Sequence, residues 1–307
     1  MAFDEGIISS PTGAELTTYW QPADGETKGV LQINHGLAEH GARYERFATF
    51  LSQRGWATVV HDHRGHGKTI AADGASRLYA YEGGWNKLMA DVDAVHDSLT
   101  RNAPGVRVVV FGHSMGGTIA MNYAMRQPQK IAGCAIWNAN IDKGAAGLLG
   151  FVAGLGKTFS KPDAPARLID TLTFKAWDKR FKADRPESAW LSRDLDEVDK
   201  YVADPLCGWT ATWSLWKDFA SGIAYAADDR NLKNIPKSLP FHLVGGTDDP
   251  ATNNAKAVQK LGERLRRQGY GATQEILEGF RHETLNETGR EAVMERFAAW
   301  LSKIADP

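Results

Sequence analysis

The stretch VVVFGHSMGG at residues 108–117 leaves little freedom to any fold built around it. Its apolar, β-branched start predicts a strand, and the pattern over 118–126 predicts a helix. Only a G-x-S-x-G segment lies between them. A chain turning this sharply crowds its own backbone, and Gly112 and Gly116 remove the side chains that would collide. Ser114 then sits exposed on a strained turn, with the positive end of a helix behind it. The five-residue pattern alone is common, but between a strand and a helix it is a specific mark of a nucleophilic serine.

The rest of the chain repeats this alternation. Residues 30–34, 57–61, 106–111, 131–137, 241–245 and 273–277 are short apolar runs. Consecutive apolar positions suit strands buried on both faces, as in a parallel sheet covered by helices. Helices are predicted at 43–54, 85–100, 118–126, 254–268 and 290–304. In the second of these, Trp85, Leu88, Val92, Val95 and Leu99 share one face. Residues 6–10 and 15–20 flank the turn signal Pro11-Thr12-Gly13 and predict an opening antiparallel hairpin. The fold class is therefore α/β, with a mostly parallel, doubly wound sheet of about eight strands.

A chain of 307 residues is one large domain or a domain with an insert. The alternation stops between 139 and 235, where Trp177, Trp190, Trp209, Trp213 and Trp216 hold half of the ten tryptophans. Residues 145–159 are apolar and glycine-rich. We expect a helical subdomain at 139–235 inserted into a core of 1–138 and 236–307. It either closes a small core of its own or caps a site whose greasy substrate its inner face receives.

Lys plus Arg is 36 and Asp plus Glu is 37, for a net charge of −1. No basic footprint points to nucleic acid. Two cysteines, Cys134 and Cys207, make neither a disulfide framework nor a paired metal knuckle. The opening residues MAFDEGIISS lack a basic segment followed by an apolar one, and no run reaches about 18 apolar residues. These features lead to the expectation of a cytoplasmic protein. His61-Asp62-His63-Arg64-Gly65-His66 spaces its histidines like a zinc-hydrolase motif, but Gly65 stands where that motif needs Asp and Arg64 adds a positive charge, so no metal is expected. A tight loop braced by Asp62 and Arg64 is the alternative. No phosphate-binding glycine loop is present, and no cofactor is expected.

A serine hydroxyl needs a base, and the base needs a carboxylate, in the chain order Ser, acid, His. The run FHLVGGTDDP at 241–250 puts Asp248 and Asp249 just past a buried strand, at the carboxyl edge of the sheet. Neighbouring residues leave a strand end in different directions, so one of the two should reach the base. His282 follows the strand at 273–277, the only one of nine histidines beyond that acid. His242 lies inside a strand and reads as structural. Oxyanion donors are expected from the backbone N–H of Met115 and, past Gly36, of Leu37.

The phrases NHGLAEHGARY (34–44), DHRGHG (62–67) and GHSMGG (112–117) resemble the monoacylglycerol lipase and lysophospholipase branch of the α/β-hydrolases, which also carries the serine aminopeptidase name. WLSRD (190–194), DPLCG (204–208), DDP (248–250) and RHETLNE (281–287) extend the resemblance from about residue 28 to the C-terminus. It implies Ser114 as nucleophile, Asp249 rather than Asp248 as acid, His282 as base, and Leu37 and Met115 as oxyanion donors, with no cofactor. It implies a small ester or monoacyl lipid as substrate, and a cap that rests on a membrane or micelle surface. A short-chain carboxylesterase or a serine aminopeptidase would use the same triad. The second would need a cap carboxylate such as Glu187, Glu197 or Asp204 for the substrate's amino group. A lysophospholipase would want a basic cluster, for which Arg180, Lys182, Arg185 and Arg193 are candidates. A non-catalytic binding protein on this fold would usually lack a triad member.

Overall fold

The structure is a computed structural model that describes residues 3–305; positions 1, 2, 306 and 307 of the expected core lie outside the described residues. The strands are β1 (Asp4–Ser9), β2 (Glu15–Gln21), β3 (Gly29–Asn34), β4 (Trp56–His61), β5 (Val108–His113), β6 (Gly133–Trp137), β7 (Phe241–Gly246) and β8 (Ala272–Leu277). They form one sheet in the order β1-β2-β4-β3-β5-β6-β7-β8. β1 and β2 form the expected antiparallel hairpin, β2 runs antiparallel to β4, and every other neighbouring pair is parallel. The sheet is thus mostly parallel and doubly wound, as its apolar runs imply.

The helices are α1 (Glu45–Ser52), α2 (Gly84–Asn102), α3 (Met115–Arg126), α4 (Lys143–Phe159), α5 (Arg167–Leu172), α6 (Phe174–Arg180), α7 (Leu195–Ala203), α8 (Trp213–Ala226), α9 (Asp229–Leu232), α10 (Lys256–Arg267) and α11 (Arg290–Ala305). β3 to β7 are buried at every position. Alternate residues feed opposite layers. Phe111 packs with Phe47 of α1 and Phe297 of α11, whereas Val110 belongs to the core on the other face, with Leu88 of α2, Ile119 of α3 and Val258 of α10. Between β6 and β7, α4 to α9 interrupt the alternation.

Several limits differ from the sequence expectation, those at the serine with the most consequence. β5 starts at Val108 rather than 106 and runs on through Gly112 and His113. Their partners in the sheet, Ile136 and Trp137, hold them extended, and Ser114 N–H still donates to Trp137 O. α3 begins at Met115, directly after the serine, three residues earlier than the pattern suggests. Residues 41–44 form a 3-10 turn before α1.

The histidine-rich loop is a brace. Asp62 accepts from Gly41 N (2.7 Å), Lys68 N (2.8 Å) and the Tyr19 hydroxyl (3.2 Å). Arg64, fully buried, donates from Nε to Asp91 Oδ2 at 2.6 Å, and Asp91 also accepts from Ser10 and Thr12. Gly65 has φ +76, and a Cβ there would strike the Leu78 carbonyl. Beside this brace His35, His61, His63 and His66 are buried together, with His35 Nε2 accepting from His63 N and the His61 and His63 rings 3.0 Å apart at their nitrogens.

Burial pushes the pKa values of His35, His61 and His66 down to about 3 and holds that of His63 well below its ordinary value. Unfolded histidines titrate near ~6.5, so below that pH the unfolded chain binds protons the folded chain refuses. Stability from this cluster is complete above ~6.5 and drains as pH falls toward the folded values, by about 1.4 kcal/mol per pH unit for each histidine. Urea midpoints followed by circular dichroism should therefore fall steeply between about pH 6 and 4. A midpoint constant across that window would contradict the reading.

Candidate active site

Ser114 sits between β5 and α3 with φ 56 and ψ −117, a left-handed conformation that an L-residue adopts only when its surroundings force it. The surroundings do so through contact. A Cβ on Gly112 would collide with the Gly116 carbonyl, and one on Gly116 with the Asn34 carbonyl. The serine thus stands at the first turn of α3, above the carboxyl edge of the sheet.

The two adjacent aspartates, in the turn just past β7, diverge. Asp249 is fully buried, and its Oδ1 lies 3.0 Å from His282 Nδ1. Its carboxylate also accepts from Asn138 Nδ2 (3.0 Å), Thr252 Oγ1 (2.9 Å) and Ala251 N (3.0 Å). Burial alone would raise its pKa, but His282 and the donors from Asn138 and Thr252 outweigh burial and hold it below the usual carboxylate value. Asp248 turns outward to Arg180 at 3.5 Å. Gly246 makes the meeting possible: a Cβ there would collide with the Phe280 carbonyl, so the loop carrying His282 crosses directly over the end of β7.

His282 is packed between His113 and Trp190, with ring centroids 4.8 Å from each. The His113 ring nitrogen Nε2 lies 2.9 Å from His282 O, and the residue before the serine thereby holds the backbone of the histidine loop. The structure brings His282 to Asp249 by a hydrogen bond and His282 to Ser114 by a shared cavity. No hydrogen bond joins Ser114 Oγ to His282 among the described residues.

Leu37 and Met115 both line that cavity, and their backbone N–H groups find no acceptor among the described residues. The loop carrying Leu37 is pressed against the serine: a Cβ on Gly36 would stand 3.5 Å from Ser114 Cβ. Glu39 fixes that loop. Its Oε1 accepts from Gly36 N at 2.5 Å and from the Tyr44 hydroxyl at 3.0 Å, and lies 3.4 Å from His113 Nδ1. Arg43 bridges Glu39 (2.5 Å) to Glu283 (2.7 Å), the residue after His282. Burial opposes the charge on Glu39, but Arg43 and then His113 hold its pKa well below normal, while Glu39 overcomes burial to raise that of His113.

The cavity measures about 600 Å³ and is mainly apolar. Leu149 and Val152 of α4, Phe174 of α6, Trp190, and Trp216 and Ile223 of α8 contribute to its wall. α4 is inverted relative to an ordinary surface helix: Ala146 and Ala153 are buried, whereas Leu148, Phe151, Leu155 and Phe159 are 68, 65, 46 and 84% exposed. Small residues let it lie close on α8, and Gly156 meets the Trp213 ring. No helix among the described residues is long and apolar enough to cross a membrane.

Of the cap carboxylates named from sequence, Glu187 lines the cavity, but Glu197 pairs with Arg46 and Lys200, and Asp204 with His40. The basic candidates do not converge: Arg180, Arg185 and Arg193 pair with Asp248, Asp199 and Glu287, and Lys182 is exposed. His242 is buried in β7, where its Nδ1 accepts from Trp137 Nε1 at 3.1 Å. Sequence reasoning missed Glu39, Arg43, Glu283, Asn138 and Trp190. The four-residue spacing of Glu39 and Arg43 was the available signal, but it is shared with any solvated helix face.

A family model described as Serine aminopeptidase, S33 matches residues 25–289. The chain is 29% identical to the monoglyceride lipase homolog of Monkeypox virus over 92% of each chain, and 27% identical to the human monoglyceride lipase over 93% of this chain and 86% of that one. It is 25% identical to a monoacylglycerol lipase of Mycolicibacterium smegmatis over 92% of this chain and 90% of the other. Among solved structures, a thermostable carboxyl esterase from Bacillus coagulans superposes with a TM-score of 0.88 at 22% identity over 99% of each chain. A soluble variant of the monoglyceride lipase of Saccharomyces cerevisiae superposes at 0.76 and 20% identity, over 99% of this chain and 96% of that one. Both are α/β-hydrolases, and their likeness shows that fold here.

The charge network yields a direct contrast. Replacing Arg43 by Met leaves the buried carboxylates of Glu39 and Glu283 without their cation and should cost about 3–5 kcal/mol. Replacing Arg54, whose pair with Glu295 is exposed, should change stability by no more than about 1 kcal/mol. Urea titration of the two variants checks this; equal midpoints would contradict it.

Proposed function

That the chain belongs to the Serine aminopeptidase, S33 family, and is a carboxylic ester hydrolase, is the premise from which we propose its reaction: hydrolysis of the ester of a monoacyl lipid, foremost a monoacylglycerol. Ser114 Oγ attacks the ester carbonyl and gives its proton to His282 Nε2, while Asp249 holds the Nδ1–H side of the ring and stabilises the imidazolium. The carbonyl oxygen becomes an anion facing the N–H groups of Leu37 and Met115, each worth roughly 3–4 kcal/mol to that intermediate. His282 then protonates the leaving glycerol, and finally takes a proton from the water that releases the fatty acid. These steps require no cofactor.

One observation carries the reading. The strained serine and His282, which the buried Asp249 backs, open together on a cavity of about 600 Å³ with a mainly apolar wall. An acyl chain fills such a wall better than a peptide does. Of the three cap carboxylates that could hold a substrate's amino terminus, Glu197 and Asp204 are already paired, and Glu187 alone lines the cavity. Residues 139–235 act as the cap over a core of 1–138 and 236–307. The exposed apolar side of α4 rests that cap on a membrane or micelle surface and lets the substrate pass from lipid to serine.

Initial rates on monoacylglycerols and lysophosphatidylcholines of matched acyl length test the substrate, beside Ser114→Ala. The glycerol ester should be preferred and the variant should lose about 10⁶-fold. Turnover of short esters or aminoacyl amides alone would overturn the lipid assignment and leave the triad standing. For the surface contact, a Leu148→Ser, Phe151→Ser double variant should partition less onto sedimented vesicles than wild type, and equal partitioning would remove it.

A further inference from the structure

Beside the catalytic loops, and outside any step of the reaction, three metal-binding side chains meet. One donor atom from each of His40, Asp204 and Cys207 lies within 4.8 Å of the other two. They come from segments far apart in the chain. His40 ends the loop after β3, whereas Asp204 and Cys207 belong to the turn that follows α7, with Cys207 N donating to Asp204 O. His40 Nε2 is 2.8 Å from Asp204 Oδ2, and the Asp204 side chain, 29% exposed, leaves a path from solvent. His40 is 7% exposed, yet its Nδ1 is buried with no partner among the described residues. The protein therefore leaves this imidazole incompletely satisfied, which a folded chain normally avoids.

We propose that His40, Asp204 and Cys207 bind one thiophilic divalent cation of the zinc class. Imidazole, carboxylate and thiolate are the donors zinc takes at about 2.0–2.3 Å, and small side-chain rotations close the three atoms onto one ion. As the metal–sulfur bond forms, the thiol proton leaves to solvent, so two anionic donors and one neutral donor balance the divalent charge.

The position gives the ion a consequence. Ala38, at φ 57, is held from the same segment by the Tyr201 hydroxyl (3.1 Å) and by Gly208 N (3.0 Å). A bound ion adds a staple between the loop carrying Leu37 and the segment at 204–208.

Calorimetric titration of zinc chloride into chelator-treated full-length protein should give one ion per chain and a raised melting temperature. Cys207→Ser and His40→Gln should weaken binding at least about tenfold, while Cys134→Ala, which removes the other cysteine, should not. Cobalt(II) added to the unmutated protein should show a thiolate-to-metal charge-transfer band, a readout independent of how the variants fold. No binding, no such band, or binding indifferent to Cys207 would each overturn the proposal.

Discussion

The buried carboxylate of Glu39 is the contact on which the geometry of the site depends. It grips the amide of Gly36, so it sets the loop that presents Leu37. It stands beside His113, whose ring reaches the backbone of His282. Through Arg43 it reaches Glu283, one residue beyond that histidine. A single group thus links the loop after β3, the end of β5 and the loop after β8. A carboxylate with no solvent survives only if cations and donors answer it, and Arg43, Tyr44 and His113 do so here. Such a junction adds little net stability over apolar packing. Its use is to make three loops share one arrangement.

Parallel strands supply the frame that this junction locks. β3, β5, β7 and β8 end at the same edge, so residues 37, 114, 249 and 282 arrive together despite their distance in sequence. Glycine permits the close crossings, Gly116 against Asn34 and Gly246 against Phe280. The phrases WLSRD and RHETLNE, separate in the chain, prove to be two sides of one joint. Ser192 donates to Asn286 O, Arg193 pairs with the fully buried Glu287, and Glu283 N donates to Leu191 O. The histidine loop is therefore clamped to the segment bearing Trp190.

Much of this frame is legible in the sequence because its causes are local. Five fully buried strands announce themselves by consecutive apolar residues, and the sharp turn at Ser114 by its flanking glycines. Where β5 ends is not local: pairing with β6 holds Gly112 and His113 in the sheet, and no propensity of their own does so. That Asp248 and Asp249 should diverge past the strand end is legible, but which of them turns inward depends on the turn after β7, where Asp249 caps the residues that follow and the loop at Phe280 crosses Gly246. Glu39, Arg43 and Glu283 were invisible as a unit because a pattern reading sees only neighbours, and Arg43 meets Glu283 across 240 residues. α4 was legible as apolar, whereas the turning of its large side chains outward depends on how closely its small residues, Gly150 and Gly156 among them, seat on α8.

The central claim is that one buried aspartate, acting through His282, arms Ser114. It is tested most directly by the rate at which a fluorophosphonate probe labels the protein, with the modified peptide identified by mass spectrometry. Wild type should label at Ser114. Asp249→Asn should slow labelling by up to about 10⁴-fold by forcing the wrong tautomer on the histidine, whereas Asp248→Asn should leave the rate unchanged. Labelling at a different serine, or equal slowing by the two substitutions, would contradict the account.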